Sequence, residues 1–259
     1  MSAKSLNSAG SPVALVTGAN KGIGFAVARE LGLLGGTVYL GARDAARGES
    51  AGRALRAEGI DAQVLALDVT DDASVARAAG RLADEVERLD VLVNNAGVAG
   101  PEVLPSETPV AEVRAAYETN VFGVVRVTNA VLPLLRRSPA GRIVNMSSVL
   151  GSLAHGAAKD DPTGVFPPGV FPALLAYNTS KAALNAVTVT YANELRDTAI
   201  LVNAAEPGFV ATDLNGHRGR LTARQGARIP VLLATLGDDG PTGTFRAEDG
   251  TPDGVELAW

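Results

Sequence analysis

The sequence predicts an α/β protein: one doubly wound domain with a central, mostly seven-stranded parallel sheet and helices on both faces. Three observations carry this expectation. Short β-rich apolar runs alternate with longer stretches of helical pattern, the rhythm of repeated strand–helix–strand units. Strand candidates such as Ala14-Leu15-Val16-Thr17 and Val91-Leu92-Val93 are apolar throughout, as expected when both faces of a sheet are covered. The chain's 259 residues, 46% of them hydrophobic, can bury one substantial core with little left for a second.

Taken in order, a strand over 13–17 precedes a helix over 23–34, a strand over 37–42 precedes a helix over 45–58, and a strand over 62–67 precedes a helix over 72–88. A fourth strand over 91–94 leads into one long helix across 110–135, followed by a strand over 142–146, a helix over 176–196 and a strand over 200–205. Between 150 and 174 stand Pro162, Pro167, Pro168 and Pro172 with several glycines. Proline lacks a backbone donor and clashes with a preceding helical turn, so this stretch is expected to be a loop insertion without a regular helix. The segment 216–236, arginine-rich and then apolar, reads as a ligand-side loop followed by a helix, and 243–246 as a last strand. The domain is expected to span 12–259, with a ligand-side loop over about 208–225. In such a sheet, ligands bind beyond the carboxyl ends of the strands, near the point where strand order reverses.

Composition narrows the chemistry. A net charge of −5 leaves no basic surface for nucleic acid or anionic lipid, and with no cysteine there is neither a disulfide nor a thiolate nucleophile. Residues 1–11 lack the basic and apolar regions of an export signal and are expected to form a flexible tail, and no run of about 18 uninterrupted apolar residues occurs. A cytoplasmic protein without membrane or nucleic-acid partners is the expectation. His155 and His217 have no metal-ligand spacing, so no metal is expected.

Directly after the first strand comes Thr17-Gly18-Ala19-Asn20-Lys21-Gly22-Ile23-Gly24, opening the first helix. Glycines let backbone approach a pyrophosphate closely, and unpaired amides at a helix N-terminus favour its charge. Tyr177-Asn178-Thr179-Ser180-Lys181 opens a later helix, where phenol and ammonium, four residues apart, share one face. A cation within about 4–6 Å can lower a tyrosine pKa by about 1–3 units, so Lys181 is expected to acidify Tyr177.

The glycine spacing and the Tyr-x-x-x-Lys pair, met in this order, resemble the short-chain dehydrogenase/reductase family, a resemblance running from about Val13 to Thr212. It implies a Rossmann-type domain and hydride exchange between a nicotinamide dinucleotide and a carbonyl or alcohol. The family's motifs then place Ser148, with Ser147 as fallback, against a substrate oxygen. Asn120 would hold a water leading from the lysine, and Lys181 and Tyr177 would meet the nicotinamide ribose. Gly18, Asn20, Lys21, Gly22, Ile23 and Gly24 would cradle the pyrophosphate, and Asn95, Ala96 and Gly97 would line the adenosine side. Asp68 and Val69 match the adenine contact, although Asp68 equally fits a turn residue. Pro207, Val210 and Thr212 would meet the carboxamide. The second strand ends in Gly41-Ala42-Arg43, with no carboxylate where the family selects NAD; Arg43 and Lys21 therefore imply NADP(H).

Between Ser148 and Tyr177 lie about twice the family's usual number of residues. Comparable insertions occur in its carbonyl-reductase branch, which implies a monomer or homodimer rather than a tetramer. The implied function is NADPH-dependent reduction of a small ketone or aldehyde with Tyr177 as general acid. Val165, Phe166, Val170, Phe171 and Phe209 are candidates for an apolar substrate wall, and the first four could equally pack the insertion onto the core. The alternatives are an NAD-linked alcohol dehydrogenase acting oxidatively, against which Lys21 and Arg43 speak, and a non-catalytic NADP-binding sensor, which would be expected to lack Tyr, Lys or Ser. Glu206, just before Pro207, has no role in this reading.

Overall fold

A computed structural model describes residues 11–164, 166 and 169–259. The expected tail over 1–11, apart from Ser11, and Val165 of the proposed wall lie outside the described residues.

The elements run β1 (Val13–Thr17), α1 (Gly22–Leu33), β2 (Thr37–Ala42), α2 (Ala45–Ala57), β3 (Ala62–Ala66), α3 (Asp72–Glu85) and β4 (Val91–Asn94). There follow α4 (Val110–Tyr117), a π-helical turn (Glu118–Phe122), α5 (Gly123–Leu135), β5 (Arg142–Met146), α6 (Leu153–Ala158) and α7 (Leu175–Glu194). The chain closes with β6 (Leu201–Glu206), α8 (Ala223–Gly226), α9 (Arg228–Ala234), β7 (Phe245–Ala247) and β8 (Val255–Glu256).

All strands but the last run parallel in one sheet of order β3-β2-β1-β4-β5-β6-β7-β8, so strand order reverses between β1 and β4. Alternate residues of each strand serve opposite faces. Ala14 and Val16 of β1, with Val38 and Leu40 of β2, pack against Val27 and Leu31 of α1 and Ile229 and Leu233 of α9. Leu15, Tyr39 and Leu92 point the other way, against Leu82 of α3, Val131 of α5 and Tyr191 of α7. Burial of these side chains, each worth about 1.5–3 kcal/mol, holds three layers together.

The observed elements depart from the sequence reading at three places. The helix expected across 110–135 is broken by the π turn, because Asn120 at its centre turns its amide toward neighbouring backbone. The insertion contains a short helix, α6. Ser152 caps it by accepting from the His155 amide, and the prolines that argued against a helix all lie downstream of it. An eighth strand, two residues long, adds antiparallel to β7 where Gly254, at φ +65°, turns the chain back. Among the described residues no helix is long and apolar enough to cross a membrane.

Candidate active site

The ends of β1 and β4 are locked together where the strand order reverses. The Thr17 hydroxyl accepts the amides of Asn95 at 2.9 Å and Ala96 at 3.0 Å, and Asn95 Nδ2 donates to the carbonyls of Thr17 at 2.8 Å and Gly18 at 3.2 Å. Gly24 has to be glycine here, since a Cβ would fall 2.4 Å from Asn95 Nδ2 and 2.7 Å from the Gly18 carbonyl. Gly18 and Gly22 adopt φ of +63° and +58°, the left-handed region that residues with a Cβ avoid. Ile23 anchors α1 by packing into the core, leaving the first amides of the helix without intrahelical acceptors. Such a turn is an anion cradle.

Beside this cradle lies a cavity of about 540 Å³ lined by Asn20, Lys21, Phe25, Arg47, Ser50 and Asp213, among others. Arg47 and Ser50 on α2 escaped the sequence reading, although Arg47 stands only four residues after Arg43. Lys21 is ion-paired with Asp213, and Arg43 is exposed at the end of β2. Asp68 is a turn former, its Oδ1 accepting the amide and hydroxyl of Thr70 at 2.9 and 2.7 Å. Burial pushes its carboxyl up, but the two Thr70 bonds and the charge of Arg43 prevail and hold it below the usual carboxylate value. Val69 is buried, and its carbonyl accepts from Arg126.

Tyr177, Lys181 and the polar groups around them gather at the ends of β4 and β5. Lys181 is 5% exposed; its Nζ donates to the Met146 carbonyl at 2.7 Å and lies 5.6 Å from the centre of the Tyr177 ring. Tyr177 neighbours Ser148, whose side chain favours the ionised phenol. The Ser147 hydroxyl turns away and donates to Asn185 at 2.5 Å. Asn120 Oδ1 accepts the Val98 amide, and its Nδ2 donates to the Val98 carbonyl and the Ser180 hydroxyl, each at 2.9 Å. Gly97 sits between these groups, for a Cβ on it would approach Asn120 Oδ1 to 3.2 Å and Lys181 Nζ to 3.7 Å.

The electrostatics differ from the expectation that Lys181 acidifies Tyr177. Tyr177 is half-buried. Burial and then the charge of Glu206 hold the phenol well above its ordinary value, against the pull of Ser148. Burial also draws Lys181 down to about 8, with Glu206 opposing. In this setting desolvation outweighs the attraction of a cation whose own charge is costly.

The segment after β6 covers the glycine turn, with Thr212 Cγ2 only 3.5 Å from where a Cβ on Gly22 would stand. Pro207 precedes Gly208, which takes φ +77°. The Phe209 carbonyl accepts from Arg220 and Leu221 at 2.8 and 3.0 Å. Val210 is buried with its side chain against Gly226. The rings of Phe166 and Phe171 meet at 6.2 Å and, like Trp259, pack against a cluster that contains Val149, Phe245 and Leu257. Val170 is half exposed. His217 pairs with Asp213, His155 sits on α6, and among the described residues no three metal-ligating side chains gather.

A family model described as short chain dehydrogenase matches residues 12–159 and 169–221. Carbonyl reductase [NADPH] 1 of Homo sapiens is 35% identical over 93% of this chain and 98% of its own length. Among solved structures, salutaridine reductase from Papaver somniferum superimposes with a TM-score of 0.76 at 32% identity, over 90% of this chain and 99% of that one. NADPH-bound carbonyl reductase from chicken fatty liver gives a TM-score of 0.79 at 25% identity, over 96% and 99% of the two chains.

Proposed function

The chain belongs to the short-chain dehydrogenase family, and from that premise we propose that it is an NADP(H)-dependent oxidoreductase that reduces a ketone or aldehyde to an alcohol. The observation that carries this reading is the convergence of Tyr177, Ser148, Lys181 and Asn120 beside the cradle formed by Gly18, Gly22 and Gly24. The cradle suits a pyrophosphate: it has positive-φ glycines, free helix amides and no room for a Cβ at Gly24. Lys21, Arg43 and Arg47 suit a 2′-phosphate, which forked guanidinium groups bind through charge-assisted bonds.

NADPH, when bound, supplies the hydride. Tyr177 keeps its proton at neutral pH and donates it to the oxygen that becomes an alkoxide. Ser148, beside it, donates a hydrogen bond to the same oxygen, stabilising charge as it develops. Lys181 is held by the Met146 carbonyl and is placed to bind ribose hydroxyls. Asn120 fixes Val98 and Ser180 around that lysine. Phe166, Phe171 and Phe209 are the candidate apolar wall for the substrate. The assembly is read as a monomer or homodimer, which light scattering on a size-exclusion column would check.

Two experiments test the reading. Consumption of NADPH absorbance with a panel of ketones and aldehydes is expected, and no consumption with any of them would overturn it. Removing the two guanidiniums together, Arg43→Ala with Arg47→Ala, is expected to weaken NADPH binding by about 10- to 100-fold, at about 1.5–3 kcal/mol for bonds to a charged group, while leaving NADH binding nearly unchanged. Calorimetric titration with each dinucleotide reads the difference.

A further inference from the structure

Glu206, the last residue of β6, is a buried carboxylate that the reaction just described does not use; it is 4% exposed. Its Oε2 accepts the Val149 amide at 2.5 Å and its Oε1 the Gly208 amide at 2.9 Å, so both oxygens are pinned by backbone. The Val149 bond sets the carboxyl beside Ser148, whose side chain favours the charged form of Glu206 and likewise that of Tyr177. The Leu150 amide also donates to Ser148 Oγ at 3.3 Å. Phenol, serine and carboxyl thus lie side by side, with the carboxyl end inside the protein.

A serine hydroxyl has a single proton to donate, and an ionised carboxylate can only accept. With the Leu150 amide donating to Ser148 Oγ, an ionised Glu206 draws the proton of Ser148 toward itself. A protonated Glu206 instead donates to Ser148 Oγ and frees that proton. On the carbonyl-reductase reading given above, we propose that Glu206 is a positioning residue acting through Ser148: protonated, it turns the serine's proton toward the substrate oxygen, and ionised, it withdraws it. The chain therefore carries an internal switch that favours carbonyl reduction on the acid side.

The surroundings agree with a carboxyl that changes state near neutrality. Burial pushes Glu206 up to about 7 against the Val149, Gly208 and Ser148 bonds that favour its charge, and Asp161 of the insertion adds to the rise. The other charged or titratable neighbours are Tyr177 and Lys181 on α7, and both feel the Glu206 charge. Glu248, at the exit of β7, is paired with Arg228. The ionised form also raises the pKa of Tyr177 and weakens it as an acid, so both effects slow reduction in the same direction.

The test is the reduction of a ketone by the full chain with NADPH between pH 5.5 and 9, for the wild type and Glu206→Gln. Wild-type kcat is expected to fall by about an order of magnitude through a midpoint near neutrality, as for loss of one essential proton. In Glu206→Gln, whose amide can donate to Ser148 at every pH, that limb is expected to flatten with NADPH affinity unchanged; retention of the limb overturns the proposal. Because glutamine cannot accept both backbone amides, infrared titration of the wild type gives an independent readout. A protonated-carboxyl band that disappears near neutrality, is absent from Glu206→Gln and shifts in Ser148→Ala is expected. A band indifferent to Ser148→Ala sinks the proposal even if no ketone is turned over, whereas absence of turnover alone counts against the carbonyl-reductase reading.

Discussion

Tyr177 is surrounded so that its proton stays on, which suits an acid that must be loaded before the reaction begins. Tyr177→Phe is expected to lower kcat roughly 10²- to 10⁴-fold, the worth of a positioned general acid, while NADPH affinity measured by fluorescence titration stays within about twofold. Lys181 makes the opposite compromise. Its value is depressed to about 8 by burial, so its contribution to stability is present above its ordinary value of 10.5 and is lost as pH falls through about 8. Lys181→Met is accordingly expected to raise stability at pH 6.5 by roughly 2 kcal/mol while abolishing turnover, with thermal melts and NADPH assays as the paired measurements. Gly24→Ala drives a methyl into Asn95 and the Gly18 carbonyl and is expected to cost about 1–3 kcal/mol and to eliminate dinucleotide binding. At this scale Tyr177, Lys181 and the glycines can be singled out from the sequence, because their spacing along the chain is the signal. Glu206 was visible only as a charge near the site, since its burial and its bond to the Val149 amide arise from strands distant in sequence. Arg47 could have been found by asking which cation the first turn of α2 presents just after Arg43.

Among the elements, the π turn at Glu118–Phe122 shows a side chain overriding helical propensity. Asn120 cannot satisfy Val98 and Ser180 from a regular helix and also stay buried, so one turn widens around it. Asn120→Ala is expected to cost about 1–3 kcal/mol, the penalty for leaving buried partners unpaired, and to lower kcat more than it raises KM. The apolar pattern of 110–135 reads as one continuous helix because periodicity carries no information about an amide reaching to another loop. The prolines single out the stretch between 150 and 174, but its short helix depends on a serine cap upstream of them. Replacing Phe166 and Phe171 together with alanine removes two rings from the cluster around Val149 and Trp259. That double variant is expected to melt earlier and to change KM across a ketone panel, with NADPH affinity unaltered.

For the molecule as a whole, alternation of short apolar strands with helices was enough to anticipate the parallel sheet and the crevice where its order reverses. The antiparallel edge was not, since two residues after a glycine leave no periodic signal. The insertion is tied to the end of the chain: Ser152 donates to the Ala258 carbonyl at 2.7 Å, the Ala154 amide donates to that of Trp259 at 3.2 Å, and the Trp259 ring stacks on Phe245 at 5.4 Å. These last residues therefore share one apolar cluster with Phe166 and Phe171. Evolution could retune such an enzyme by drift in its tail, without touching any group that handles a proton. Two relatives with identical reacting residues and dissimilar tails would then be expected to accept different carbonyl compounds.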